Sequence, residues 1–153
     1  PDDSEFAVIA SDAQLLRFGA STVRPQGRGA GGMAGMKLSV GARVIFAVAM
    51  PQDATAQVVT VADSSLTLPG IDVATAKVSD WSEFPAKGRA TGGVRAQRFL
   101  KGEDQLSCAW VGVGEPRALA RDGGVRKLPT EIGKRDGSGT PIDGAAAFIG
   151  SAP

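Results

Sequence analysis

Arg28-Gly-Ala-Gly-Gly-Met-Ala-Gly-Met-Lys-Leu-Ser-Val-Gly41 returns 61 positions later as Arg89-Ala-Thr-Gly-Gly-Val-Arg-Ala-Gln-Arg-Phe-Leu-Lys-Gly102. An Arg, a Gly-Gly pair, an apolar residue, a basic residue, an apolar residue and a closing Gly fall in register. A unit of roughly 40–60 residues that recurs is the mark of small sheets stacked on one another. It also predicts a surface that presents one chemistry several times.

Outward from these loops the sequence reads as β. Phe6–Ala10 is a short apolar run, Ser11–Ala13 a turn and Gln14–Phe18 the returning strand. Val44–Ala49 is a strand stopped by Pro51, and Gln57–Ala62 another, with Asp63-Ser64 as its turn and Ser65–Leu68 returning. Gln105–Val113 is a further strand, and Arg117–Ala120 with Val125–Leu128 flanks the turn Arg121-Asp-Gly-Gly124. No stretch of a dozen residues keeps a 3.6-residue period, and 21 Gly with 9 Pro disfavour long helices. Three units result, about 5–50, 55–112 and 113–150. The second carries extra residues around Pro69–Asp72. In the third, Arg135 and Gly139 keep the spacing of Arg89 and Gly93 at an offset of 46, with Pro141 and Asp143 where Arg95 and Gln97 stood. No linker divides residues 1–153, so they read as one domain or a fragment of one. Pro1-Asp2-Asp3-Ser4-Glu5 opens as a cut piece of a longer protein would.

Composition narrows the chemistry. The chain has no His and no Tyr, which removes imidazole catalysis, His–metal ligation and a Tyr nucleophile. A single Cys108, inside the apolar run Leu106–Val111, permits neither an intrachain disulfide nor a Cys-based zinc site and reads as a buried strand residue. No metal and no cofactor are expected. No apolar run approaches the roughly 18 residues of a membrane span.

Formal net charge is +1, so the whole chain is not a polycation. The charges are nevertheless sorted. Arg24, Arg28, Lys37 and Arg43 lie in one window without acids; Lys87, Arg89, Arg95, Arg98 and Lys101 lie in another. These are nine of the 17 cations, and both windows contain the repeat. Matching basic runs in matching repeats predict an anion-binding surface rather than a merely solvated face.

Gly27-Arg-Gly-Ala-Gly-Gly32 fits the pattern G-x-G-x-x-G, but the segment after it, residues 33–41, is broken by two glycines and runs into a strand. A dinucleotide site needs a helix there, so the loop argues against a nucleotide cofactor. A side-chain-poor loop does expose backbone N–H groups to a phosphate backbone, with Arg28 or Arg89 supplying charge. Trp110 reads as core. Trp81 reads as an anchor between units, with an exposed position as the alternative.

The Arg-Gly loop followed by Gly-apolar-x-Gly/Ala-apolar-basic-Leu and x-x-Gly-x-x-Val resembles the repeat of the C-terminal domain of the A subunit of bacterial type IIA topoisomerases, DNA gyrase and topoisomerase IV. Phe6–Phe18 resembles that family's opening hairpin, and Ala76–Pro85 its run into the Gly-rich loop. The likeness spans nearly the whole chain and is strongest over 5–50 and 84–112. It implies an all-β β-pinwheel of four-stranded antiparallel blades, about three here and so a partial domain, with one strand exchanged between neighbours. It implies a non-catalytic module whose basic rim bends or wraps double-stranded DNA without reading sequence. The parent enzyme passes one duplex through another at the expense of ATP, with its cleavage Tyr elsewhere, as the absence of Tyr here agrees. The nine cations are then the DNA-binding residues. The partners are DNA, the rest of the A subunit and the ATPase B subunit, in the bacterial cytoplasm at the nucleoid. Gln26–Gly32 echoes the gyrase box Gln-Arg-Arg-Gly-Gly-Lys-Gly but lacks its paired Arg and its Lys, so gyrase-style wrapping does not carry over and topoisomerase IV stays equally open. The rival reading is a propeller-like protein-interaction module whose basic rim meets acidic partners.

Overall fold

The structure is a computed structural model that describes residues 3–66 and 73–151. Its strands in chain order are β1 (Ser4–Ala10), β2 (Gln14–Gly19), β3 (Val44–Pro51), β4 (Gln57–Asp63), β5 (Ala74–Asp80), β6 (Val94–Arg95), β7 (Gln105–Gly112), β8 (Pro116–Leu119), β9 (Val125–Arg126), β10 (Thr140–Ile142) and β11 (Phe148–Ser151). Short 3-10 turns at Ala20–Thr22 and Trp81–Glu83 recur at the 61-residue offset.

The strands form three antiparallel sheets, ordered β3-β1-β2-β6, β10-β5-β4-β7 and β11-β8-β9. β6 belongs to the second unit but completes the first sheet; β10 belongs to the third unit and completes the second. The registers are equivalent. Val94 lies opposite Leu15 and Arg95 opposite Gln14, while Thr140 lies opposite Ala76 and Pro141 opposite Thr75. The offsets of 61 and 46 read from the sequence therefore carry one pairing onto the other.

Burial follows from stacking. β1, in the first sheet, alternates between half-buried and buried positions. β4, in the middle sheet, is covered on both faces, and Val58, Val59, Thr60, Val61 and Ala62 are each no more than 1% exposed. Each of those valines contributes roughly 2 kcal/mol through its apolar area. One core, with Ile9, Leu15, Val58, Leu106, Trp81 and Phe84, lies between the first and second sheets. Two smaller clusters around Val61 and Val59 join the second to the third.

Four expectations change. The strand returning from β4 is β5, not Ser65–Leu68: Ser65 and Leu66 form a turn, and Thr67 and Leu68 lie outside the described residues, as does the Pro69–Asp72 insertion. The last hairpin strand stops at Arg126 rather than Leu128. The third sheet has three strands, not four, because no described segment pairs with its open edge. Cys108 lies on β7 but is half-buried, its thiol pKa pushed up by desolvation. Trp81 is an anchor between units, 2% exposed, and Trp110 is core at 8%.

Candidate nucleic-acid interface

The two Gly-rich loops lie side by side. The Lys37 N–H donates to the Thr91 carbonyl at 2.9 Å, and the Ala90 N–H to the Gly35 carbonyl at 2.7 Å. Arg89 Nη1 donates to the Ala34 carbonyl at 2.6 Å. The third loop continues the series: Arg135 Nη1 donates to the Arg95 carbonyl at 2.8 Å, and the Arg98 N–H to the Gly137 carbonyl at 2.9 Å.

The second loop is held from two sides. Gly93 adopts φ +81°, and a Cβ there would stand 2.4 Å from the Leu15 carbonyl oxygen, so only Gly lets β6 reach β2. The Gln97 side chain, 1% exposed, turns into the second sheet. There it accepts from Thr60 Oγ1 at 2.7 Å and donates to Thr75 Oγ1 at 3.1 Å. Arg17 secures the approach to this loop. It forms a two-point pair with Glu5 at 2.8 and 3.0 Å, donates to the Phe84 carbonyl at 3.0 Å, and lies 4.5 Å over the Trp81 ring. Lys77 performs a related task for the third loop. It is 3% exposed and donates to the carbonyls of Lys134 at 2.8 Å and Gly137 at 3.0 Å, and to that of Arg135. Burial lowers its pKa to about 8, opposed by Asp136 and Glu83.

Of the nine cations expected at the interface, Arg24, Arg28, Lys37, Arg43, Lys87, Arg95, Arg98 and Lys101 are exposed. None of the nine forms an ion pair among the described residues. Arg89 differs. It is half-buried, its Nη1 is engaged on Ala34, and its buried Nε has no hydrogen-bond partner among the described residues. Arg135 lies 46 positions after Arg89, and its acceptor Arg95 lies 61 positions after Ala34, so the two contacts are one contact repeated. The repeated Arg is a clasp onto the loop before it. Sequence reasoning found its position but not this partner. It also missed Glu5, Arg17 and the Thr60–Gln97–Thr75 chain; a basic residue and an acid on paired strands was the one available signal.

Comparison with known proteins agrees with this architecture. A model of the DNA gyrase C-terminal domain, a β-propeller, matches residues 5–49 and 75–107, together about half of the chain. Topoisomerase subunit TopoM of Mycolicibacterium smegmatis is 31% identical over 112 residues, which is 72% of this chain and 14% of that protein. A crystal structure of the C-terminal domain of DNA topoisomerase IV superposes with a TM-score of 0.71 at 19% identity, over 91% of this chain and 42% of that one. A structure of the DNA gyrase A C-terminal domain gives 0.66 at 14% identity, over 92% and 43%. The chain thus spans about a seventh of the curated relative and less than half of each solved domain. The family model matched over half of the chain, together with the 31% identical relative covered over 72% of it, places this chain in the DNA gyrase C-terminal domain family of β-propellers.

Proposed function

We propose that this chain is a non-catalytic DNA-binding module of a type IIA topoisomerase A subunit, which bends or wraps duplex DNA for strand passage by the parent enzyme. The observation that carries this reading is the hydrogen-bonded adjacency of two cationic loops, with eight exposed cations that form no ion pair among the described residues. Each cation that meets a phosphate adds affinity by counterion release, without reading bases. Bending 20–30 bp costs on the order of 1–6 kcal/mol, so several contacts must act together. Arg28, Lys37, Arg95 and Arg98 supply charge, and Arg89 sets the spacing of the loops. The partners on this reading are double-stranded DNA, the remainder of the A subunit and the ATPase B subunit, in the bacterial cytoplasm at the nucleoid.

The test is a gel shift of nonspecific duplex in a salt series, comparing wild type with Arg28→Ala/Lys37→Ala/Arg95→Ala. Three lost phosphate contacts make the log–log salt slope shallower by about 2.7. A triple variant with the wild-type slope and affinity removes the loops from the interface. A wild type that binds acidic proteins but no duplex at low salt supports the interaction-module reading instead.

A further inference from the structure

Resting on the DNA-binding reading above, we propose that the third loop is a repulsive break in the basic rim: a duplex lies across the first and second loops and is held off the third by its carboxylates. The three loops form a row built by one repeated contact. The Lys37 N–H meets the Thr91 carbonyl. The Arg98 N–H, 61 positions after Lys37, meets the carbonyl of Gly137, 46 positions after Thr91. The third loop therefore stands to the second as the second stands to the first. A duplex that continued along the row would reach it.

The charge does not continue with the backbone. Residues 86–101 present Lys87, Arg95, Arg98 and Lys101, all exposed, and contain no acid. Residues 131–147 present exposed Lys134 against exposed Glu131, Asp136 and Asp143. Their other cation, Arg135, is half-buried and engaged as the clasp on the Arg95 carbonyl. The register locates the losses. Gly133 donates to the Val78 carbonyl where Lys87 donates to that of Arg17. Pro141 lies opposite Thr75 where Arg95 lies opposite Gln14. Arg98 and Lys101 fall between β6 and β7, whereas the chain between β10 and β11 reads Asp143-Gly-Ala-Ala-Ala147. Glu83 adds a further exposed carboxylate, its Oε1 3.4 Å from the Arg135 backbone nitrogen.

A phosphate that approaches the second loop releases counterions. The same phosphate at the third loop meets carboxylates within a Debye length, about 8 Å at physiological salt, and is repelled. The break fixes where the bound segment leaves the rim, so the chain steers the duplex to one side of the third unit.

Fluorescence anisotropy on a labelled duplex of about 30 bp in a salt series, with amide exchange on the complex, tests this. In the wild-type complex the amides of residues 24–43 and 87–101 gain protection and those of 133–143 do not. Glu131→Gln/Asp143→Asn tightens binding about 5-fold at low salt, an effect that shrinks as salt rises. Adding Pro141→Arg restores the cation of the second loop, steepens the log–log salt slope by about 0.9 and extends protection to 133–143. Asp136 is left in place because its charge supports the buried Lys77 ammonium. Asp53→Asn/Asp80→Asn makes the same change in net charge at exposed acids outside the loops and leaves affinity within about 2-fold of wild type. Circular dichroism and thermal melting check that each variant stays folded. The break is overturned by a wild-type complex whose third loop is protected like the second. A Glu131/Asp143 variant that gains no more than the Asp53/Asp80 control, or a slope that Pro141→Arg leaves unchanged, overturns it too. A wild type without affinity for duplex at low salt removes the DNA-binding reading itself, and the break with it.

Discussion

The first and second Gly-rich loops share a sequence pattern but not a conformation. Residues 94–95 are a strand in the first sheet, anchored behind by Gln97 and held in front by Arg17 through the Phe84 carbonyl. Residues 33–34, at the same place in the repeat, pair with no strand among the described residues. The lesson is that the repeat specifies a donor, while the neighbour decides whether the donor becomes a strand. The chemistry of both loops is set locally by Arg, Lys and Gly. The order of the second is set by a sheet that belongs to a different unit.

The largest expected effect on this contrast comes from Arg17→Ala, which cuts the second loop's approach away from the first sheet and leaves Glu5 buried without its partner. A loss of about 3–5 kcal/mol in urea unfolding is expected. Truncation of the exposed Arg117, paired with Glu115, supplies a control within about 0.5 kcal/mol of wild type. Next come the paired glycines. Gly93→Ala forces a Cβ against the Leu15 backbone and strains a left-handed φ, costing about 2–3 kcal/mol. Gly32→Ala meets only the φ penalty, about 1 kcal/mol. Equal losses at the two positions would erase the distinction between a filled and an unfilled donor.

The smallest effect concerns the third loop and Lys77. Its folded pKa of about 8 lies below the ordinary 10.5, so between these values the unfolded chain binds more protons. Stability from this group therefore rises as pH climbs from about 8 towards 10.5, and its destabilising contribution is fully present below that window. Lys77→Leu copies Leu16, its counterpart 61 positions earlier, and removes the rise. The difference between wild type and variant, read by urea melts at pH 7.5 and 10, is expected to change by on the order of 1 kcal/mol. A difference that does not vary with pH assigns the lysine no linked proton.

What was legible in the residues was whatever a local pattern could carry. The apolar runs of β1, β4 and β7 announced themselves, and the spacing of Arg, Gly-Gly and the closing Gly fixed which residues of one unit match those of the next. β5 did not announce itself. Ala74-Thr-Ala-Lys-Val-Ser-Asp80 is small and polar, and it is a strand because the second sheet lies between two others. The basic windows were visible as charge, but the division of labour within them was not. A sequence shows that Arg89 is cationic; only the position of the Ala34 carbonyl shows that it holds a loop.

Strand borrowing also has a consequence for synthesis. β2 emerges from the ribosome about 75 residues before β6, the strand that covers its edge. At ordinary elongation rates that interval lasts about 4–15 s. During it the nascent hairpin presents bare amides and carbonyls to any neighbouring polypeptide, including the same stretch on an adjacent ribosome of one polysome.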